Sequence, residues 1–392
     1  MATVNGGAYG NVSLSAQANG DLLQAFGWNN TLFGNGLNVT FTAGQGQSQV
    51  YVGQGSNGVS QTVNLGGWND LVQGSNTTPP GATAGANENI TVSGGQGSST
   101  VQLGNGNDNV NLAGWTNFIN LGDGTDTIVA GSGNSTVFAG DGNDAIQLGG
   151  WGNLIRLGNG SDTLSGISGG STVTAGNGNN LIQISGWSDL LNLGSGSNTV
   201  TGISGSSTIN AGNGNNSIIA GGWGNAISVG GGANTIVAGA GSDSVTIGGG
   251  ANAVSLSGWG NYVNAVGGAD TIQSGAGSDT ISLSGSNVMV VGGANARVVL
   301  GGTTMDTVID QQQGMTVVIG PNSPSANLTF GADANWVVDF VGGAGGFANA
   351  QAVLNALQAN GGTTTLSVGT GGATVTFNQA VSTITAAHIK IG

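Results

Sequence analysis

Residues Gly104–Ala139 read GNGNDNVNL, AGWTNFINL, GDGTDTIVA and GSGNSTVFA, four consecutive blocks of nine. The seventh position of each block is Val or Ile, and the ninth is Leu or Ala. The register runs on through GDGNDAIQL, GGWGNLIRL and GNGSDTLSG and ends near Leu283. Blocks alternate in kind, so the unit is 18 residues, two turns and two short strands. Nine residues are too few for a helix and its connection. They fit a turn of about five residues and a strand of about four, with alternate side chains inward. Gly104 and Gly106 give such a turn its backbone freedom. One unit cannot bury its own apolar row, but units stacked at ~4.8 Å do. The pattern predicts an all-β chain, a parallel β-solenoid of the β-roll kind with 18-residue turns. Val110, Ile119, Ile128, Val137, Ile146, Ile155, Leu164, Val173 and Ile182 would fill its interior.

A second period lies on top. Trp115, Trp151, Trp187, Trp223 and Trp259 stand 36 residues apart, two units each. Trp28 and Trp68 share their local context at spacings of 40 and 47, which implies insertions, the loosest around Pro79 and Pro80. The repeat therefore begins near residue 27, or earlier in degraded form. From there to 283 the chain makes about 14 turns, a rod on the order of 70 Å long. The expected organisation is irregular turns with insertions over 1–99, regular repeats over 100–300 and a C-terminal segment over 301–392.

Composition narrows the function classes. Gly makes up 81 of 392 residues, roughly three times average usage, and Cys is absent. No disulfide or Cys-based metal site is available. Gly does not recur every third residue, so the chain is not collagen. Three basic residues, Arg156, Arg297 and Lys390, cannot neutralise a nucleic-acid backbone, and no Gly-rich run precedes Lys390 to make a P-loop. No run of 18 apolar residues spans a membrane. A net charge of −14 leaves calcium or other cations as partners.

Read with the preceding residue, LGNGNDNVN, LGDGTDTIV, AGDGNDAIQ and LGNGSDTLS resemble the RTX nonapeptide GGxGxDxUx, in which U is a large apolar residue. The resemblance covers about residues 100–285, with Leu or Ala in place of the first Gly. It implies a calcium-binding β-roll in which the sixth-position Asp holds the ion between turns. Carried over, those ligands are Asp108, Asp126, Asp144 and Asp162, with Asp123 and Asp141 in the same corners. Carboxylates stacked at ~4.8 Å repel by about 3 kcal/mol per pair at an effective dielectric near 20, and Ca²⁺ would relieve this. The column then reads Asn180, Asn198, Asn216, Asn234 and Asn252 before Asp270. There a neutral Asn ladder without metal is the competing reading.

On the other side Trp replaces the family's Gly, so that corner cannot keep the family's calcium geometry. Two readings stay open for Trp115, Trp151, Trp187, Trp223 and Trp259. They cover their own corners, or they form an outward row for packing against another solenoid or a cell-surface polysaccharide.

After Gly301 the pattern breaks. A helix is expected over 347–359, stopped by Gly361–Gly362, with strands at 364–368 and 373–377, together a small α+β cap. This tail, ending TITAAHIKIG, resembles the export region of RTX-type proteins carried by type I machinery. With an N-terminus that lacks a basic n-region and an apolar h-region, this implies an extracellular or cell-surface location without signal cleavage. Sealing the last turn is an equally open role for it.

Solenoid enzymes use carboxylates beside Lys, Arg or His in a groove. Here His388 and Lys390 lie in the last five residues and the repeat generates every Asp pair, so no catalysis is expected. Three functions remain. The first is a secreted homopolymer, stacked head to tail into a filament or surface lattice of biofilm-matrix type. The second is a calcium-binding S-layer-like adhesin module. The third is an ice-binding solenoid, disfavoured because no regular outward Thr column exists.

Overall fold

The computed structural model describes residues 2–35, 37–53, 59–74, 88–285, 287–331, 335–368 and 373–392. The insertion around Pro79 and Pro80 lies outside these described residues. The chain divides into two compact units, Met1–Thr201 and Gly202–Gly392, and is an all-β parallel β-solenoid of about 18 turns.

In the first unit, alternate strands build two parallel stacks. One runs in register through Val110, Ile128, Ile146, Leu164 and Ile182. The other runs through Val101, Ile119, Val137, Ile155, Val173 and Leu191. All these side chains are buried, at 2% exposure or less, and the polar residues between them face out. Period-two alternation has become two half-buried sheets across a narrow core, as the sequence predicts.

The ladder starts earlier than residue 27. Thr3–Gly6 pairs parallel with Leu22–Ala25, which pairs with Thr40–Ala43. These turns lack the Gly-x-Gly-x-Asp signature but keep inward apolar residues, such as fully buried Leu23 and Phe41. Extra residues between turns do not disturb the core register. Val50 faces Val72 and Val72 faces Val101, steps of 22 and 29 residues.

The second unit has the same construction. Ile218, Ile236, Val254, Ile272 and Val290 form one inward row, and Ile209, Ile227, Val245, Val263 and Ile281 the other. Pairing does not stop at Gly301. It continues from Val290 to Val308 and Leu328, then to Phe377, and from Val298 to Val317, Val338 and Ile389.

On this last turn the topology changes. Thr363–Val368 lies antiparallel on Ala373–Phe377, and Gln358–Asn360 lies antiparallel on Thr363–Val368. The helix is Ala350–Ala356, packed against Thr363–Val368 and Ile389–Ile391. It is shorter than expected at both ends. Asn349 takes the N-cap, its Oδ1 accepting the Ala352 N–H at 2.9 Å, and Gln358–Asn360 is drawn into the strand pairing. Trp336, Phe330 and His388 form a stacked aromatic cluster at 4.2 and 4.0 Å, with Trp336 buried. Lys390 pairs with Asp339 at 2.8 Å. Among the described residues no helix is long and apolar enough to cross a membrane.

Candidate calcium corners

On the Asp side of the first-unit solenoid the corners carry an inner and an outer ladder of side chains. The inner one is the column Asp108, Asp126, Asp144, Asp162, Asn180 and Asn198, all buried. Each side-chain oxygen accepts the backbone N–H of the residue one turn earlier. Ile90 donates to Asp108 at 2.8 Å, Asp108 to Asp126 at 2.8 Å, Asp126 to Asp144 at 2.9 Å and Asp144 to Asp162 at 3.0 Å. The fifth position of the block is thus a backbone acceptor, whatever else it binds.

The second side-chain atom decides the chemistry. In the Asn turns it is an amide nitrogen, and it donates. Asn198 Nδ2 reaches the carbonyls of Gly194 and Gly196, both at 3.3 Å. Asn216 and Asn234 of the second unit reach the carbonyls four and two residues before them in the same way, and pass a further bond to the next Oδ1. So the Asn ladder satisfies itself without a metal. In the Asp turns the same place holds Oδ2, and on Asp108, Asp126, Asp144 and Asp162 that atom is buried with no hydrogen-bond partner. In the Asn turns the atom at that place points to the glycine carbonyls four and two residues before it; by analogy the carbonyls beside these Asp residues would be those of Gly104/Gly106, Gly122/Gly124, Gly140/Gly142 and Gly158/Gly160. A carboxylate oxygen so placed would need a proton or a cation between it and the carbonyls.

The electrostatics agree. Burial pushes Asp126 up to about 8, with the charges of Asp108, Asp144 and Asp123 adding to it. Burial likewise raises Asp108 to about 7 and Asp144 to about 6, and shifts Asp162 upward. The carbonyls are brought close by glycine. A Cβ on Gly142 would sit on the carbonyl oxygen of Gly124, so this corner closes only without a side chain. The donor set is carboxylate and carbonyl oxygen alone, which suits a hard cation such as Ca²⁺. Among the described residues no three His, Cys, Asp or Glu side chains converge as a metal cluster; the backbone would have to complete the shell.

The structure separates the six acidic residues singled out above. Asp123 and Asp141 are exposed, and each Oδ1 accepts a backbone N–H from the following turn, from Asp141 at 3.0 Å and Asn159 at 2.8 Å. They belong to the outer ladder rather than to the buried column. Sequence reasoning missed Asp70, Asp243, Asp279 and Asp306, which are buried, with the second oxygen unpartnered and burial raising each. Asp243 and Asp279 hold the fifth position of the alternate blocks, GAGSDSVTI and GAGSDTISL, where the signal was available.

The Trp corners differ. Trp115, Trp151 and Trp187 in the first unit are 56, 72 and 69% exposed, and Trp223 and Trp259 in the second are 70 and 69% exposed. Such rings do not cover a core. A groove of about 470 Å³ lined by Val129, Ser132, Gln147, Leu148 and neighbouring glycines contains no titratable side chain.

A family model described as the RTX calcium-binding nonapeptide repeat matches residues 91–114, 121–153, 154–183, 192–225, 221–254 and 260–295. The matched repeats and the parallel solenoid are those of an RTX-like β-roll. All four buried ligand candidates, Asp108 to Asp162, lie inside matched segments of this RTX repeat. RTX nonapeptides bind calcium and are typical of secreted extracellular proteins, and the matched repeats support calcium as the ion for this solenoid. No curated protein and no solved structure matches the chain.

Proposed function

We propose that the protein is an extracellular structural element, a solenoid that closes around calcium at Asp108, Asp126, Asp144 and Asp162 and assembles with copies of itself into filaments or a surface lattice. The carrying observation is an outer surface rich in exposed Trp and nearly free of charge. Only 20 residues of 392 are charged, and native β-proteins ordinarily defend such surfaces with charge. A catalytic role finds no support in His388. It is buried, its Nδ1 accepts the Thr385 N–H at 3.0 Å, and its ring stacks on Trp336.

A head-to-tail stack needs two bare terminal turns. The strands Thr3–Gly6 and Ser13–Ser15 pair on one side only among the described residues. At the other end an antiparallel strand and the helix cover the last turn. We therefore place the self-contact on the flank of the solenoid. The export reading for the tail rests on its resemblance to type I substrates, and the tail is also structural, with Ile389 buried and Lys390 paired.

The closed C-terminal turn favours a second reading, a discrete calcium-stabilised adhesin module, with a cell-surface polysaccharide as its partner. Sedimentation and negative-stain microscopy, with calcium and with chelator, separate the two. Assemblies that grow with protein concentration in calcium support the structural reading. A monomer at every concentration in calcium gives first place to the adhesin.

A further inference from the structure

The Trp residues of the first unit are more regular in space than in sequence. Their spacings along the chain are 40, 47, 36 and 36 residues. In the fold, each is separated from the next by one turn, and that turn carries Gly at the same corner. Trp28 bridges Gly46, Gly46 bridges Trp68, and Trp68 bridges Gly97. The backbone ladder continues from Gly97 through Trp115, Gly133, Trp151 and Gly169 to Trp187. Insertions are absorbed elsewhere and the alternation survives them.

The flanking strand face alternates in step. Three residues after each Trp stand Thr31, Leu71, Phe118, Leu154 and Leu190, and three after each Gly stand Gln49, Thr100, Thr136 and Thr172. These positions pair in one continuous register. From Trp68 onward, every second turn has an apolar ridge and the turn between a Gly–Thr furrow. The inward residues of the same strands alternate only in size, Val101, Val137 and Val173 in the glycine turns against Ile119, Ile155 and Leu191 in the Trp turns, and all are apolar and buried. The core keeps an apolar side chain at every turn, whereas this edge changes from apolar ridge to glycine furrow. A repeat step of two turns is ~9.6 Å.

Resting on the self-assembly reading above, we propose that this corrugated edge docks the same edge of a second copy, shifted by one turn, so that each Trp ring seats over a glycine turn of its partner. Only a partner of the same period places every ridge in a furrow at once. Interleaving two combs of ~9.6 Å step puts neighbouring rings ~4.8 Å apart, inside the 4.5–7 Å range of favourable aromatic pairs. Five rings from each copy, each burying roughly 150 Å², give about 1,500 Å², the size of a standard specific interface. Like-charge repulsion does not oppose the contact. Among the described residues Arg156 is the one charged outward residue on this strand face, and it lies over the Phe138 ring at 5.5 Å.

The test uses the full chain in calcium, with sedimentation equilibrium as the readout and circular dichroism to confirm folding. Trp115→Ser/Trp151→Ser/Trp187→Ser removes exposed rings, and self-association is expected to weaken by at least about tenfold. Thr136→Arg/Thr172→Arg keeps every Trp but fills two furrows with like charge, and should weaken association as much. A wild type that associates while both variants associate equally well refutes the comb and leaves self-assembly standing. Loss in the Trp variant alone also refutes it, because mere apolar adhesion would do that. A wild type that stays monomeric, and whose Trp emission shifts on adding a soluble glucan, overturns both and assigns the row to sugar.

Discussion

Above about pH 8, where Asp126 is ionised, Asp126→Asn is expected to move stability in opposite directions with and without calcium. In the calcium-free chain, Asp126 Oδ2 is buried without a partner, among the charges of Asp108, Asp144 and Asp123. Asn at the same column position directs an amide at two glycine carbonyls, as Asn198 does at 3.3 Å. Removing an unsatisfied buried acceptor is worth about 1–3 kcal/mol, so the variant should gain about 2 kcal/mol in chelator. With calcium the order reverses. A site filled at a hundredfold excess over its Kd adds about 2.7 kcal/mol to the wild type, and the neutral amide forfeits most of that. Urea unfolding followed by circular dichroism, in calcium and in chelator, reads both numbers. If Asp126→Asn stabilises or destabilises in both buffers alike, Asp126 is not a calcium ligand and the corner argument fails.

Three further outcomes follow from the same geometry. Carboxyls raised by burial favour the protonated folded state, so the calcium-free protein should be most stable near pH 4; thermal unfolding should show that stability draining away as pH rises through about 6, 7 and 8, the values of Asp144, Asp108 and Asp126. Constant stability from pH 4 to 9 would contradict this. Ile146→Asp buries an unpaired carboxylate in a site 2% exposed and should cost several kcal/mol, against about 1 kcal/mol for Ile146→Val in the same denaturant titration. In hydrogen exchange, chelator should expose the turns of Asp108–Asp162 while those of Asn180 and Asn198 stay protected, and uniform protection in both conditions would count against calcium at the Asp turns.

Why some of this was readable and some was not comes down to which atoms carry the signal. The inward rows announce themselves because a period of two on a nine-residue block admits few other foldings, and Ile128, Ile146 and Leu164 are buried as expected. The Asp column was legible as a column for the same reason. Its inner and outer members were not distinguishable, because Asp123 and Asp126 are both polar and three residues apart, and only the register shows which one turns inward. Past Gly301 the glycine-rich signature fades while the inward apolar rows persist, so pairing from Val290 to Val308 and Leu328 left little trace in the pattern. The helix was overextended because its face continues through Leu357, while the antiparallel pairing of Gln358–Asn360 is non-local. The spatial regularity of Trp28 and Trp68 was hidden by insertions that strand pairing ignores.

The change of residue at Asn180 has a kinetic consequence. Asp162 donates its N–H to Asn180, and Asn180 donates to Asn198, so the Asp turns rest directly on Asn turns whose column is hydrogen-bonded without metal. In a stack where each repeat touches only its neighbours, the slow event is nucleating the first turn, and later turns zip onto an existing edge. The Asn turns provide such an edge before any calcium arrives. If calcium closes the Asp corners as proposed, a rising ion concentration should let the Asp turns grow from that edge, from Asp162 back toward Asp108. On the proposed calcium reading, such a chain should bypass the nucleation lag that a uniform Asp column would face, and its folding front would have a set starting point and direction.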